Sequence, residues 1–340
     1  MSSTLVIQTS FLGDTVLTTP LLAQLANRGP VDIVTTPASA ALLANHPAVR
    51  TVIPYDKRGR DRGLRGMFRL ARRLRRTEYD LALLAQGSWR SAAVAFLARI
   101  PSRVGFDRSA GKLLYTTRVP YRDDLHHAAR LLMLGRPNGR EPTADEMRPS
   151  LAPGEAERAA VDALLARHGV SAGDRLVVLA PGSVWGTKRW PFYPELAQLL
   201  ARHARVVVVG SAADAPLADA IAAAEPTSID ATGTLSLLAS AELIGRAGVV
   251  VTNDSAPLHL ASAMGTPTVA LFGPTVPEFG FGPLAPRASV VGEETLPCRP
   301  CDRHGPQHCP LGHHRCMRDL SPALVAERAL TLLLTPDVLA

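Results

Sequence analysis

The chain has 340 residues, enough for two domains, since one domain usually takes about 100–200 residues. Hydrophobic residues make up 46 % and charged residues 20 %, which is ordinary for a globular protein. No apolar run approaches the roughly 20 residues of a membrane-spanning helix, and the opening residues MSSTLVIQTSF lack the basic start and apolar core of a signal peptide. Composition therefore argues against a membrane-spanning class and predicts a cytoplasmic protein.

The net charge of +7 comes from one basic segment, residues 57–76, KRGRDRGLRGMFRLARRLRR. This segment contains ten Lys or Arg and one Asp, a local charge of +9, so the rest of the chain carries 7 − 9 = −2. A nucleic-acid-binding domain is usually basic over a whole face. The pattern favours an anionic surface or substrate as partner over nucleic acid, and its alternative is a solvated charged helix face.

Strands and helices alternate through the first half of the chain. The predicted strands are residues 5–8, 31–35, 49–54, 79–85 and 102–106. The predicted helices are residues 15–27, 38–45 and 91–98, together with an amphipathic helix in the basic segment. Alternation of this kind predicts a parallel sheet with helices on both faces.

A second round of alternation follows a polar linker predicted at residues 136–154. Its predicted strands are 176–180, 206–209, 249–251 and 268–272, and its predicted helices include 155–168, 191–203, 213–223 and 235–246. We therefore predict an α/β protein with two Rossmann-like domains, residues 1–150 and 151–320, and a C-terminal helix at 321–340. Two such domains facing each other across a cleft would point the carboxyl ends of their strands into one space.

A polar turn between two apolar strands is the first candidate site. Asn253, Asp254 and Ser255 are predicted to cap a helix that starts at Ala256, in the stretch VTNDSAPLHLASAMG. A helix N-terminus at the carboxyl end of a parallel strand can hold a phosphate, with Asp254 beside it and His259 one turn further in. The alternative is an ordinary cap followed by a core histidine.

Two further turns carry candidate groups, although neither matches G-x-G-x-x-G or a Walker A loop. In APGSVWGTKRWP, Lys188 precedes a helix predicted from Pro191 and could neutralise a diphosphate without a metal. The alternative, a solvated loop, is weakened by Trp185 and Trp190, since exposed indoles are costly unless they pack. In SFLGDTVLTTP, Asp14 could accept a proton from an attacking hydroxyl, or it could only cap a helix from Thr15.

Four stretches in order resemble one family across nearly the whole chain. They are SFLGDTVLTTPLL, PGSVWGTKRWP, VTNDSAPLHLASAMGTPTVALFGPT and the terminal CRPC and CPLGHHRCMRDLSP. Together they resemble the ADP-heptose:lipopolysaccharide heptosyltransferases of glycosyltransferase family 9, most closely the heptosyltransferase II type. The resemblance implies a GT-B fold, an ADP-heptose donor in the second domain, a phosphorylated Kdo-lipid A inner-core acceptor in the first, and inversion at the anomeric carbon without a catalytic metal.

The resemblance also implies roles for individual residues. Asp14 would be the catalytic base, and Lys188 would bind the donor phosphates and offset charge on the departing ADP. The other donor-binding residues would be Ser183, Thr187, Asp254, Ser255, Ala256 and His259. Ala256 stands where the family commonly has Gly, so a required positive φ would conflict with it.

The acceptor and the membrane give the basic segment a purpose under this resemblance. Arg58, Arg60 and Arg62 are predicted to bind acceptor carboxylates or phosphates. The helix that follows would lie near anionic lipid, which would place the protein peripherally at the inner face of the inner membrane. A relative that uses another nucleotide sugar and a non-catalytic binding protein for a nucleotide sugar or glycolipid are the alternative functions.

All four cysteines lie near the C-terminus, at Cys298, Cys301, Cys309 and Cys316. The spacing C-x2-C-x7-C-x6-C suits a tetrahedral structural zinc or a pair of disulfides, and a reducing cytoplasm disfavours disulfides. The resemblance implies no metal in catalysis, so a zinc ion bound by these cysteines would serve only as a structural clip.

Overall fold

The computed structural model describes residues 3–136 and 139–335. The chain divides into two compact units, Met1–Ala152 and Pro153–Ala340. Residues 137–138 of the predicted linker and residues 336–340 of the predicted C-terminal helix lie outside the described residues. Each unit is built on its own parallel six-stranded sheet.

The first unit has the strand order β3-β2-β1-β4-β5-β6, with every neighbouring pair parallel. The strands are β1 Thr4–Ile7, β2 Val31–Thr35, β3 Thr51–Pro54, β4 Leu81–Leu84, β5 Ser102–Phe106 and β6 Thr117–Val119. The helices are α1 Leu12–Ala26, α2 Pro37–Leu42, α3 Gly63–Arg75, α4 Trp89–Leu97, α5 His127–Gly135 and α6 Ala144–Met147.

The second unit has the strand order β12-β11-β10-β7-β8-β9, again all parallel. Its strands are β7 Leu176–Ala180, β8 Arg205–Val208, β9 Ile229–Asp230, β10 Val249–Asn253, β11 Thr268–Phe272 and β12 Ala288–Gly292. Its helices are α7 Glu155–Arg167, α8 Tyr193–Leu200, α9 Ala215–Ala224, α10 Leu237–Gly245, α11 Ala256–Met264, α12 Arg315–Arg318 and α13 Pro322–Leu334.

Hydrophobic patterning explains the central strands. Every residue of β1, β7, β10 and β11 is buried, as expected for strands covered on both faces. In α3 the apolar positions Met67, Leu70 and Leu74 face the core of the first unit. The terminal helix α13 packs on the second sheet through Val325 and Ala329.

Both sheets follow the Rossmann order, in which the strand sequence reverses once. The reversal falls between β1 and β4 in the first unit and between β7 and β10 in the second. Ligands of such sheets bind beyond the carboxyl ends of the strands at this switch point. The segments that follow β1, β7 and β10 are therefore expected to hold the functional groups, and they contain Asp14, Lys188 and Asp254.

The alternation predicted from sequence is confirmed, with several differences. The sequence patterns missed β6, β9, β12, α5, α6 and α12, of which β9 has two residues, α12 has four and β12 is a partly exposed edge strand. Much of the predicted linker is folded: α6 lies within it, and the Ser150 N–H donates to Thr19 Oγ1 of α1 at 3.0 Å. The helix predicted from Pro191 begins at Tyr193 instead.

Candidate functional site

A buried ion pair joins the two most informative turns of the second unit. Lys188 ends a short 3-10 turn after β7, and Asp254 directly follows β10. Lys188 Nζ lies 2.5 Å from Asp254 Oδ2, and the two residues are only 7 % and 9 % exposed. The Thr275 hydroxyl, beyond β11, also donates to Asp254 Oδ2 at 2.7 Å. The sequence singled out Lys188 and Asp254, but neither their direct contact nor the part played by Thr275.

Asn253 does not cap the following helix, contrary to the sequence prediction. It is the last residue of β10, and its amide Nδ2 donates to the Pro181 carbonyl at 2.8 Å. Its Oδ1 accepts from the Trp190 N–H at 3.4 Å and from the Tyr193 hydroxyl at 3.3 Å. Asn253 therefore ties the turn after β7 to the end of β10, which holds Lys188 next to Asp254.

The start of α11 lies beside this ion pair in the chain. Ser255 is the residue before the helix; its backbone is extended, and its buried Oγ has no hydrogen-bond partner among the described residues. Ala256 opens α11 and is not one of the non-glycine residues with positive φ, so the conflict raised by its replacement of Gly does not arise. His259 is 5 % exposed and contacts the Phe281 ring edge-on, with centroids 6.3 Å apart.

The Lys188 turn is held from the outside by the segment that carries the cysteines, residues 298–316. The Thr187 N–H and hydroxyl both donate to the Pro306 carbonyl, and the Thr187 carbonyl lies 2.8 Å from His314 Nε2. Gln307 accepts from the Gly186 N–H at 3.1 Å. Because the Thr187 hydroxyl is engaged in this contact, its binding of donor phosphates stays a prediction.

The two tryptophans of this turn pack against other groups of the protein, so neither indole is left fully solvated. Trp190 is 2 % exposed, and its indole N–H donates to the Leu320 carbonyl at 3.1 Å. Trp185 stacks on His304 with centroids 6.0 Å apart. Ser183, 9 % exposed, accepts from the Trp185 N–H through its Oγ at 3.3 Å. Both indoles of the turn are thus packed, although Val184 between Ser183 and Trp185 is 70 % exposed.

All four cysteines are free thiols, so no disulfide framework is present. Burial, together with the neighbouring Cys301, Cys309 and Cys298, raises the pKa of the Cys316 thiol to about 11. Cys298 Sγ lies 4.0 Å from His313 Nε2. Within residues 3–136 and 139–335, no three His, Cys, Asp or Glu side chains are grouped so that they could hold a metal ion. Structural zinc stays a prediction from the cysteine spacing.

In the first unit, Asp14 lies inside α1; it is not the N-cap residue of a helix from Thr15, but its carboxylate caps the N–H of the actual N-cap residue, Phe11. The helix begins at Leu12, three residues before the predicted start, and Asp14 occupies its third position. Asp14 Oδ2 accepts from the Ser10 hydroxyl at 2.7 Å and from the Phe11 N–H at 3.3 Å. The side chain of Asp14 is 16 % exposed, so the carboxylate is mostly buried beyond the carboxyl end of β1, with Oδ2 already oriented.

His127, which the sequence patterns did not single out, lies next to Asp14. Its Nε2 is 3.6 Å from Asp14 Oδ1, and its side chain is 11 % exposed. Burial lowers the pKa of His127, with Asp14 opposing and Arg130 reinforcing that shift. Nothing local could have revealed this neighbour, because α5 itself was missed.

Arg58, Arg60 and Arg62 all lie exposed in the loop between β3 and α3. The Asp56 carboxylate shapes this loop by accepting from the N–H groups of Gly59 at 2.8 Å and Arg60 at 3.1 Å. The guanidinium groups are thus presented to solvent from an ordered turn. No helix among the described residues is both long and apolar enough to cross a bilayer.

Structural comparison identifies the class of protein. The chain is similar to E. coli ADP-heptose lps heptosyltransferase II, with a TM-score of 0.79 and 28 % identity over 98 % of this chain and 99 % of that one. A family 9 glycosyl transferase from Veillonella parvula shares the fold, with a TM-score of 0.85 at 24 % identity and coverage of 98 % and 97 %. The chain is therefore a glycosyltransferase of the GT-B fold class, as predicted.

Sequence comparison identifies the family. The profile of glycosyltransferase family 9 (heptosyltransferase) matches residues 67–310. Lipooligosaccharide heptosyltransferase 2 of Haemophilus influenzae is 30 % identical, over 97 % of this chain and 99 % of its own length. Lipopolysaccharide heptosyltransferase 2 of E. coli K12 is 31 % identical, with coverage of 98 % and 99 %. This chain belongs to glycosyltransferase family 9, the heptosyltransferases.

Proposed function

We propose that this enzyme transfers a heptose from ADP-L-glycero-β-D-manno-heptose to the inner core of lipopolysaccharide, and that it adds the second heptose. The observation that carries the proposal is the buried Lys188–Asp254 pair at the switch point of the second sheet, next to the start of α11. Three of the relatives, the two curated ones and the solved E. coli structure described above, are named heptosyltransferases of the second type, and their names supply the sugar and the position.

The donor side of the reaction needs groups that stabilise a departing diphosphate. Transfer breaks the bond between the anomeric carbon and the phosphate oxygen, and the bonding electrons leave with ADP. Lys188 and the positive end of α11 offset that charge, and the unpaired Ser255 Oγ donates to a phosphate oxygen. Asp254 turns to the sugar hydroxyls once the lysine is shared with the diphosphate. His259 contacts the phosphate region.

The acceptor side needs a base. Asp14 takes the proton from the acceptor hydroxyl while that oxygen forms its bond to the anomeric carbon, which inverts the configuration. Its carboxylate is oriented by Ser10 and Phe11 before any substrate binds. Arg58, Arg60 and Arg62 bind the carboxylates and phosphates of the Kdo-lipid A acceptor.

The basic helix α3 supports a peripheral location at the inner face of the inner membrane, in the cytoplasm. Its outward residues are exposed arginines, namely Arg65, Arg69, Arg72, Arg73 and Arg75. Two apolar side chains of the same helix, Leu64 and Phe68, are also exposed, at 62 % and 53 %. Cationic side chains with apolar ones between them suit an anionic lipid surface, where the acceptor itself resides.

The deciding experiment measures transfer to purified Kdo-lipid A with and without a first heptose. We expect product only from the heptosylated acceptor. Product from the unheptosylated acceptor would reassign the enzyme to the first heptose. A panel of other nucleotide sugars run beside ADP-heptose tests the donor, and preference for another sugar would overturn the donor assignment.

Two further experiments test Asp14 as the base and the expected absence of a catalytic metal. Asp14→Asn should reduce transfer by about 100-fold or more while leaving donor binding near normal, because only the base is lost. Wild-type activity in this variant would remove Asp14 as the base. Transfer should persist in EDTA, and its loss, with recovery on adding back a divalent metal, would contradict a metal-free mechanism.

A further inference from the structure

Asp14 Oδ1 has a neighbour, His127, to which the proposed mechanism assigns no role. Oδ2 is held by Ser10 and Phe11, at 2.7 Å and 3.3 Å. Oδ1 points to the other side, where His127 Nε2 lies 3.6 Å away. An acceptor hydroxyl that delivers its proton to this carboxylate therefore meets a group whose two oxygens are in different environments.

The position of His127 is fixed by packing. It is the first residue of α5, which packs along α1, the helix that carries Asp14. The residue before it, His126, caps α5 by accepting from the Ala128 N–H at 3.2 Å. The packing of α5 on α1 therefore holds the His127 ring beside Asp14. A ring fixed in this way can hold a carboxylate in one rotamer.

The surroundings of His127 favour its neutral form beside Asp14. Burial lowers the pKa of His127, and the nearby Arg130 lowers it further against the opposing effect of Asp14, so the imidazole is neutral near pH 7. Arg130 itself is directed to the Arg122 carbonyl at 2.7 Å and the Tyr121 hydroxyl at 2.8 Å. A full positive charge beside Asp14 would weaken it as a base, whereas a neutral N–H orients it with little loss of basicity.

We propose that His127 is a positioning residue for Asp14: its Nε2, 3.6 Å from Oδ1 in the free enzyme, donates to that oxygen when the acceptor binds and holds the carboxylate in the orientation that receives the acceptor proton. This inference rests on the proposed role of Asp14 as the base. His127 forms no bond to either substrate. Its loss therefore lowers the rate of the chemical step and leaves substrate binding nearly unchanged.

Two amide variants separate positioning from packing. The amide nitrogen of Gln reaches about as far as Nε2 of His, whereas that of Asn ends near the position of Nδ1. We expect His127→Asn to lower kcat by roughly 10-fold or more, with the KM of donor and acceptor changed less than about 3-fold. His127→Gln should recover most of the lost kcat. The adjacent His126→Asn, which keeps a side-chain cap acceptor, is the matched control and should behave as wild type.

Several outcomes would overturn the proposal. They are a wild-type kcat in His127→Asn, a Gln variant as slow as the Asn variant, or an increase in KM with no change in kcat. Thermal melting of each variant checks the fold; if His127→Asn does not fold, His127→Phe replaces it, since it keeps ring volume and removes the donor.

The Asp14→Asn variant distinguishes failure of this inference from failure of the proposed base. If Asp14→Asn is inactive and His127→Asn is unaffected, only the positioning role is wrong. If Asp14→Asn keeps full activity, the base assignment itself is wrong. Where both roles hold, the double variant should be no slower than Asp14→Asn alone, because the two residues act through one proton transfer.

Discussion

At the scale of single residues, the donor turn depends on a buried charge pair. Lys188 and Asp254 are almost fully shielded from solvent and lie 66 positions apart in the chain. A buried carboxylate without its cation is strongly unfavourable, so each residue needs the other for stability as well as for the proposed chemistry. Thr275 adds a second donor to the same carboxylate oxygen.

Removing the lysine should therefore destabilise the second unit. We expect Lys188→Met to lower the free energy of unfolding by about 3–5 kcal/mol, because Asp254 is left buried and unpaired. Urea unfolding measures this. The double variant Lys188→Met with Asp254→Asn should regain part of the loss, and Arg122→Ala, which breaks the exposed pair with Asp124, should change little. A single variant as stable as wild type would contradict the argument.

Asp32 provides a pH-dependent test in the first unit. Burial by itself would raise its pKa, but hydrogen bonds from Arg50 Nη2 at 2.7 Å and Tyr79 at 2.6 Å outweigh burial and hold the pKa below its usual range. Because the pKa of Asp32 is lower in the folded state, its carboxylate stabilises the protein at pH values above its unfolded-state pKa of about 4. That stabilisation is lost as the pH falls through the folded-state pKa.

Unfolding by urea at several pH values should show this loss. The stability difference between wild type and Asp32→Asn should be largest near neutral pH and should shrink below about pH 4. The exposed Asp145→Asn is a control whose difference should be small throughout. A gap between wild type and Asp32→Asn that is the same at every pH would mean that the carboxylate charge of Asp32 contributes nothing.

At the scale of elements, two segments do what their sequences only partly indicated. The spacing of apolar residues in α3 predicted a helix with a basic face, and that is what forms. The spacing of the cysteines in residues 298–316 suggested only a metal or disulfides, yet this segment braces the Lys188 turn through Pro306, Gln307 and His314. A Cβ added at Gly186 would lie 2.3 Å from the Gln307 carbonyl, so that contact requires glycine.

The outer face of α3 should bind anionic membranes. We expect the protein to sediment with vesicles containing phosphatidylglycerol and to be released by about 0.5 M salt, because arginine attraction to lipid charge is screened. Leu64→Ser with Phe68→Ser should weaken sedimentation through loss of apolar insertion. Leu324→Ser, an exposed leucine of α13, is the matched control. Binding that survives both salt and the α3 variants would rule out this helix as the contact.

At the scale of the whole molecule, two units repeat one architecture without detectable repetition of sequence. Each has a Rossmann strand order, and each has its own core, around β1 and β4 in the first unit and around β7 and β10 in the second. The group proposed as base belongs to the first unit, and all groups proposed for the donor belong to the second.

A fragment of residues 153–340 should consequently fold and bind ADP without transferring sugar. We expect its affinity for ADP to be within about 10-fold of the full chain, since the proposed phosphate contacts all lie inside it. Calorimetry measures the affinity, and the control is the same fragment with both Lys188→Met and Asp254→Asn, which leaves no unpaired buried carboxylate. A folded fragment that does not bind ADP would show that the donor site needs residues of the first unit.

The sequence by itself determined the alternation of strands and helices, the family and the identity of several candidate residues. Hydrophobic periodicity and turn chemistry are local, so they can be read without the fold, and four ordered motifs carry the resemblance. Only the tertiary structure decided that Lys188 pairs with Asp254, that Asn253 joins two turns and that His127 meets Asp14. These contacts join residues far apart in the chain, and no local pattern encodes them, because they arise from the packing of elements whose positions the whole sheet sets.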